Sequence, residues 1–404
     1  MKGVQLHTPF AAAARRPALL ARCEAAPATA ATPAAGPAAP VAPRLRLQFG
    51  VKNIPHPRKA HYGGEDAFFV SEAGGGRAGI ADGVGGWQEA GINPADYSKN
   101  LMATARQYLE ECATVNGGAV MSTGEWLASQ PEGGPPGGDA LAAELAATQA
   151  ARGLPAVAAP PPAPASAASR DDDWSSLSLS DSEGRPIAVP PPLASADSAG
   201  PRTAQEALDV AHRATRLPGS STACVLRLDA AAGLLDAANL GDSGFLIVRD
   251  GRLHFQSPAM QHFFDCPLQF GMPPDTDWAR DAAVFSLEVR PGDAIVLATD
   301  GLLDNLPVED IVRLAPRSAG EVEAAAAAMA ELARRNSEDP DFESPYTQEA
   351  LEEGLDIPIW EKLMTASFKD GKFQLGKLRG GKMDDITVVC AVVTEADPAA
   401  QPGS

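Results

Sequence analysis

Two apolar runs in this chain end in the same dipeptide. Residues 77–81 deliver Asp82-Gly83 and pass into Val84-Gly85-Gly86-Trp87, and residues 293–299 deliver Asp300-Gly301. Glu65-Asp66 and Asp384-Asp385 stand at the edges of two further strand-like runs. Carboxylates presented at strand ends from four separated stretches are the oxygen donors that a hard divalent cation takes. An Asp-Gly pair after a strand also marks a tight hairpin, because glycine tolerates positive φ. Asp250-Gly251, between two strand-like runs, is read in that second way. The recurrence of the device, rather than any single pair, points to a cation site.

Composition narrows the partners. The 404 residues carry 33 basic and 52 acidic side chains, a formal charge of -19, and this balance disfavours a nucleic-acid surface. No uncharged apolar stretch is long enough to cross a bilayer. The five cysteines (Cys23, Cys112, Cys224, Cys266 and Cys390) show neither metal-ligand nor redox spacing, which suits a reducing compartment. A 45% hydrophobic content allows a sizeable core.

The elements that must hold the carboxylates follow in order. Residues 1–43 are rich in Ala and Pro, with Lys2, Arg15, Arg16 and Arg22 against the single acid Glu24. That composition is expected of an organellar transit peptide, with chloroplast favoured over mitochondrion. Alternation over residues 45–51 predicts a strand, residues 66–70 are a second candidate closed by the Gly-rich turn at 74–76, and residues 77–81 are its hairpin partner. Tyr97, Leu101, Ala105 and Tyr108 fall on one face of a helix opening at Asn93-Pro94. Residues 115–201 turn to Gly, Pro, Ala and Ser and are expected to form a disordered insertion. Further helices are expected near 203–215, 308–314 and 321–335. Strands are expected near 221–228, 234–239, 245–249, 284–289, 294–299 and 386–393. Many strands with few helices between them predict antiparallel sheets with helices packed outside. The expected organisation is one domain over 44–396, interrupted by the insertion, with a disordered tail at 397–404.

Taken in order, Gly64-Glu65-Asp66-Ala67, Ala81-Asp82-Gly83, Gly219-Ser220-Ser221-Thr222-Ala223, Gly241-Asp242-Ser243-Gly244, Ala298-Thr299-Asp300-Gly301 and Asp384-Asp385-Ile386-Thr387 resemble the metal-dependent Ser/Thr protein phosphatases of type 2C, the PPM family. The stretch from Gly79 to Trp87, Gln261-His262-Phe263-Phe264 and Ser344-Pro345-Tyr346 look like its mitochondrial and chloroplast subgroup. The resemblance implies an α+β fold, a four-layer sandwich of two mostly antiparallel β-sheets flanked by α-helices. It also implies two Mg²⁺ or Mn²⁺ ions at one end of the sandwich. Asp82 would bridge them with help from the Gly83 carbonyl, Glu65 would support the second ion, and Asp300 and Asp384 would bind the first. Asp66 would orient water for attack on a phosphoserine or phosphothreonine monoester of a protein substrate. Two ions roughly 3.5–4 Å apart acidify a bridging water and clamp phosphoryl oxygens, so no Cys, Ser or His nucleophile is required. A monomer is expected.

The chain departs from the family pattern at several points. Val84 stands where many relatives carry a histidine proposed as general acid. His61 stands where an arginine often binds phosphate, and Arg58 or Lys59 could substitute for it. Asp304 resembles a ligand for a third ion, or else caps a buried turn. The carboxylate expected before Gly219 for that ion is replaced by Leu217. Asp242 is read as the tether of its own turn, and Asn305 and Thr387 as structural supports. Gly241-Asp242-Ser243-Gly244 also looks like the nucleophile segment of chymotrypsin-like proteases, which would need a His and an Asp partner. A catalytically inactive phosphoprotein-binding module is the alternative of another class. Substrate selection is expected beside the insertion and residues 261–270.

Overall fold

The computed structural model describes residues 45–113, 193, 202–358, 367–369, 372–374 and 378–396. The expected leader at 1–43, the tail at 397–404 and all of the expected insertion except Leu193 lie outside the described residues.

The chain enters as β1 (Leu45–Ile54), followed by the hairpin β2 (Ala67–Ser71) and β3 (Arg77–Ala81) and the long helix α1 (Pro94–Ala113). After the undescribed stretch come α2 (Ala204–Ala214), β4 (Ala223–Asp229), β5 (Leu234–Leu240), β6 (Gly244–Arg249) and β7 (Arg252–Gln256). A small hairpin follows, β8 (Gln261–Phe263) and β9 (Cys266–Pro267), and then β10 (Ala283–Glu288) and β11 (Ala294–Ala298). Helices α3 (Asp300–Leu303), α4 (Val308–Leu314), α5 (Val322–Glu338) and α6 (Pro345–Glu352) lead to the pair β12 (Ser367–Lys369) and β13 (Lys372–Gln374). Strand β14 (Ile386–Glu395) closes the fold.

The strands form two five-stranded antiparallel sheets, ordered β1-β14-β11-β6-β7 and β10-β5-β4-β3-β2. Period-2 alternation explains the layers. Val389, Ala391 and Val393 of β14, with Ile295 and Leu297 of β11, pack between the sheets against Ile80, Leu226 and Leu235. The intervening Val388, Cys390, Val392 and Val296 face Ala326, Met329 and Ala330 of α5. Both faces of these strands are therefore covered, which is why β11 and β14 read as unbroken apolar runs. Each fully buried Val, Leu or Ile contributes roughly 1.5–3 kcal/mol.

On the other side, Tyr97, Leu101, Ala105 and Tyr108 of α1 form one buried face, as their spacing predicts, and pack with α2 against Phe69, Ala81 and Val225. Helix α2 starts at a capping box in which the Thr203 hydroxyl accepts from the Glu206 amide and the Glu206 carboxylate from the Thr203 amide. The result is the expected four-layer α/β/β/α sandwich.

Among the described residues, the tight-turn reading of Asp-Gly fits only one of three pairs. Asp250 and Gly251 have φ of 52° and 71° and make the β6–β7 hairpin, whereas Gly83 and Gly301 are absent from the positive-φ residues. A Cβ on Gly83 would lie 2.9 Å from the carbonyl oxygens of Glu65 and Pro94, and one on Gly301 would land on the Asp385 carbonyl. At these two sites glycine is needed for close approach of neighbouring backbone.

Candidate metal centre

Strand register sets the first carboxylates side by side. Ala67 at the start of β2 pairs with Ala81 at the end of β3, so Asp66 and Asp82 leave the sheet at the same end. In the facing sheet Ala298 pairs with Val388, which brings the Asp300 and Asp384-Asp385 segments together. Hydroxyls tie the two sheets across this end. Thr299 Oγ1 and Thr387 Oγ1 donate to Asp66 Oδ2 at 3.0 and 2.6 Å, and Asn53 Nδ2 donates to Thr387 Oγ1 at 2.8 Å. Thr387 and Asn305 are the structural supports the sequence suggests.

The backbone around Asp82 is equally fixed. Its carbonyl accepts from Ser221 Oγ at 2.7 Å and from the Thr222 amide at 2.9 Å. Asp385 serves the scaffold. Oδ1 accepts from the His56 amide at 2.6 Å and Oδ2 from the Glu65 amide at 2.9 Å, which pins the loop carrying Glu65 and Asp66. Asp384 accepts from the Asp385 amide through Oδ1 at 2.8 Å.

Mutual repulsion marks these acids as one cluster. Burial, then Asp300, Asp66 and Asp384, push the Asp82 carboxyl well above the ordinary range. Burial, then Asp385, push Asp66 up, with Asp384 and Asp300 adding to it. Asp384 is pushed up to about 6 by burial and Asp300, against the pull of Lys59. Asp242 is pushed up to about 7 by burial and Asp300, so it shares the field of the cluster although the sequence suggests only a turn tether. Asp300 goes the other way: burial would raise it, but the Lys382 ammonium holds it below its usual value.

Among the described residues, no three His, Cys, Asp or Glu side chains close into a cage of their own. Ammonium groups stand between them instead. Lys59 Nζ lies 2.5 Å from Glu65 Oε2, 3.2 Å from Asp385 Oδ2 and 3.3 Å from Asp384 Oδ1. Lys382 Nζ lies among Asp300, Asp304 and Asp265. The donor set still fits a divalent ion. It is all oxygen and carries excess negative charge, and Asp66 Oδ1 and Asp300 Oδ1 are buried with no hydrogen-bond partner.

His61 is exposed, its Nδ1 3.1 Å from the Arg58 carbonyl, and Lys59 is the basic residue of that loop that enters the cluster. Sequence reading missed Lys382 and Asp265. No local pattern marks a lysine that reaches carboxylates 78, 82 and 117 positions away. The protease-like reading fails on geometry: Ser243 is buried with its Oγ 2.9 Å from Thr222 Oγ1, and His212 Nε2 lies 2.9 Å from the Gly271 carbonyl.

Residues 193–341 match the family described as Stage II sporulation protein E (SpoIIE). The chain is 30% identical over 357 residues to "Probable protein phosphatase 2C 26" of Arabidopsis thaliana, covering 88% of this chain and 87% of the relative. It is 32% identical over 347 residues to "Probable protein phosphatase 2C 1" of Oryza sativa subsp. japonica, covering 86% and 75%. Among solved structures, that of the photosystem II phosphatase PBCP superposes with a TM-score of 0.58 at 31% identity, over 86% of this chain and 98% of that one. With the four-layer sandwich and the acidic cluster at its end, these likenesses establish that the chain belongs to the type 2C protein phosphatase family.

Proposed function

We propose that this phosphatase hydrolyses phosphoserine and phosphothreonine monoesters in proteins with the help of two Mg²⁺ or Mn²⁺ ions held by Glu65, Asp82, the Gly83 carbonyl, Asp300 and Asp384. The observation that carries the reading is the convergence of buried (Glu65, Asp66, Asp300) and half-buried (Asp82, Asp384), mutually repelling carboxylates at one end of the sandwich, with Asp66 Oδ1 and Asp300 Oδ1 lacking hydrogen-bond partners. When bound, such a pair supplies the Lewis acidity that acidifies water and neutralises phosphoryl oxygens.

The remaining work falls to the chain itself. Asp66, fixed through Oδ2 by the Thr299 and Thr387 hydroxyls, keeps Oδ1 to orient the attacking water. Lys59, at the rim of the cluster, replaces the missing arginine as the cation that receives the phosphoryl group. Val84 offers no proton, so no histidine at that position assists the leaving alcohol.

Plastid residence is part of the proposal. It rests on the acid-poor, Arg-bearing stretch at 1–43 and on the likeness to a phosphatase named for photosystem II. A fluorescent reporter fused to residues 1–51 should enter chloroplasts. Entry into mitochondria would reassign the compartment.

Release of phosphate from a phosphothreonine peptide should require Mn²⁺, stop with EDTA and be lost in Asp82→Asn. The lysines among the carboxylates favour a second reading, an inactive module that binds phosphoproteins. Peptide binding without turnover in Mn²⁺ would support it, and hydrolysis that survives EDTA would defeat the two-ion mechanism.

A further inference from the structure

One corner of the acidic end is already filled by a cation of the chain's own. Lys382 Nζ stands 2.9 Å from Asp300 Oδ2, 2.9 Å from Asp304 Oδ2 and 3.0 Å from Asp265 Oδ1, and 5.0 Å from the centre of the Tyr346 ring. Its backbone is clamped to a buried amide: the Lys382 N–H donates to Asn305 Oδ1 at 2.9 Å, and its carbonyl accepts from Asn305 Nδ2 at 2.6 Å. The same Asn305 Nδ2 donates to the Gly301 carbonyl at 3.0 Å, so one side chain sets both the lysine and the helix that begins at Asp300. Three carboxylates around one point would otherwise make an oxygen-rich cation pocket. Asp300 divides its oxygens, with Oδ2 on the lysine and Oδ1 buried without a hydrogen-bond partner.

We propose that Lys382 is a built-in cation that takes the Asp300–Asp304–Asp265 corner and limits the centre to two divalent ions. An additional ion there would have to displace the ammonium from three charge-assisted contacts at once. Asp304 thus acts as a partner of Lys382 and not as a metal ligand. Leu217, packed against the α1–α2 apolar cluster, offers no carboxylate to such an ion. The inference rests on the divalent-ion reading above.

Equilibrium dialysis against Mn²⁺ counts the ions without an activity assay. The wild-type chain should bind two per molecule, Lys382→Arg two, and Lys382→Met three, the gained ion disappearing in Lys382→Met/Asp304→Asn. If Lys382→Met loses its circular-dichroism spectrum, Lys382→Gln gives the same count with two donors retained. Two ions with unchanged affinity in the neutral variants, or three in the wild type, would overturn the proposal. A wild-type chain that binds no Mn²⁺ would instead defeat the metal-centre reading on which it stands.

Discussion

Gly301 lies against the backbone carbonyl of Asp385, so close that a Cβ would overlap the oxygen. That closeness lets the Asp300 segment and the Asp384-Asp385 segment meet. Gly301→Ala must push β14 and α3 apart, and overpacking of this kind costs about 1–3 kcal/mol. Urea denaturation should show the loss, and Mn²⁺ affinity should fall with it. A variant with wild-type stability and affinity would mean that the two segments do not need this contact.

Thr387 Oγ1 makes the shorter of the two hydroxyl tethers on Asp66, 2.6 Å against 3.0 Å from Thr299, and also accepts from Asn53. Thr387→Val removes one of the two hydroxyls on Asp66 Oδ2 and the acceptor of the half-buried Asn53 amide, at about 1–3 kcal/mol. Thr387→Ser keeps the hydroxyl and should recover most of the stability and of kcat. Equal behaviour of the Val and Ser variants would remove Thr387 from the account.

Much of this frame is legible in the sequence, for identifiable reasons. Strands β11 and β14 are covered on both faces, so they read as long apolar runs, and α1 shows a one-sided stripe because only one face is buried. Helix α6 escaped because it is short, although Ser344 caps it and Pro345 opens it. The β8–β9 hairpin escaped because strands of three and two residues carry no period. Within the site, the strand-end acids were readable from their repeated context. Lys382 and Asp265 were not, since they converge only through tertiary folding.

His212 gives a pH signature. Burial pulls its imidazole down to about 4, and its ring packs near Phe270 and Trp278. The unfolded chain keeps a value near 6.5 and so binds the proton first as pH falls. Stability should therefore drop through the window from about 6.5 to about 4, by about 3 kcal/mol in full. His212→Gln should flatten that part of the Tm–pH curve, and an unchanged slope would contradict the assignment.

Lys59→Met separates binding from chemistry. If the ammonium receives the phosphoryl group, KM for a phosphothreonine peptide should rise about tenfold or more, as expected for loss of a charge-assisted contact worth roughly 1.5–3 kcal/mol. Lys59→Arg should restore most of it. A KM equal to that of the wild type would leave Lys59 as a counter-charge for Glu65 alone.

The placement of the ions is the central claim, and anomalous scattering tests it without reference to turnover. Crystals grown in Mn²⁺ should show two anomalous peaks at the acidic end of the sandwich, within roughly 2.0–2.6 Å of oxygens from Glu65, Asp82, Asp300 and Asp384. Peaks elsewhere, or none at these carboxylates, would contradict it.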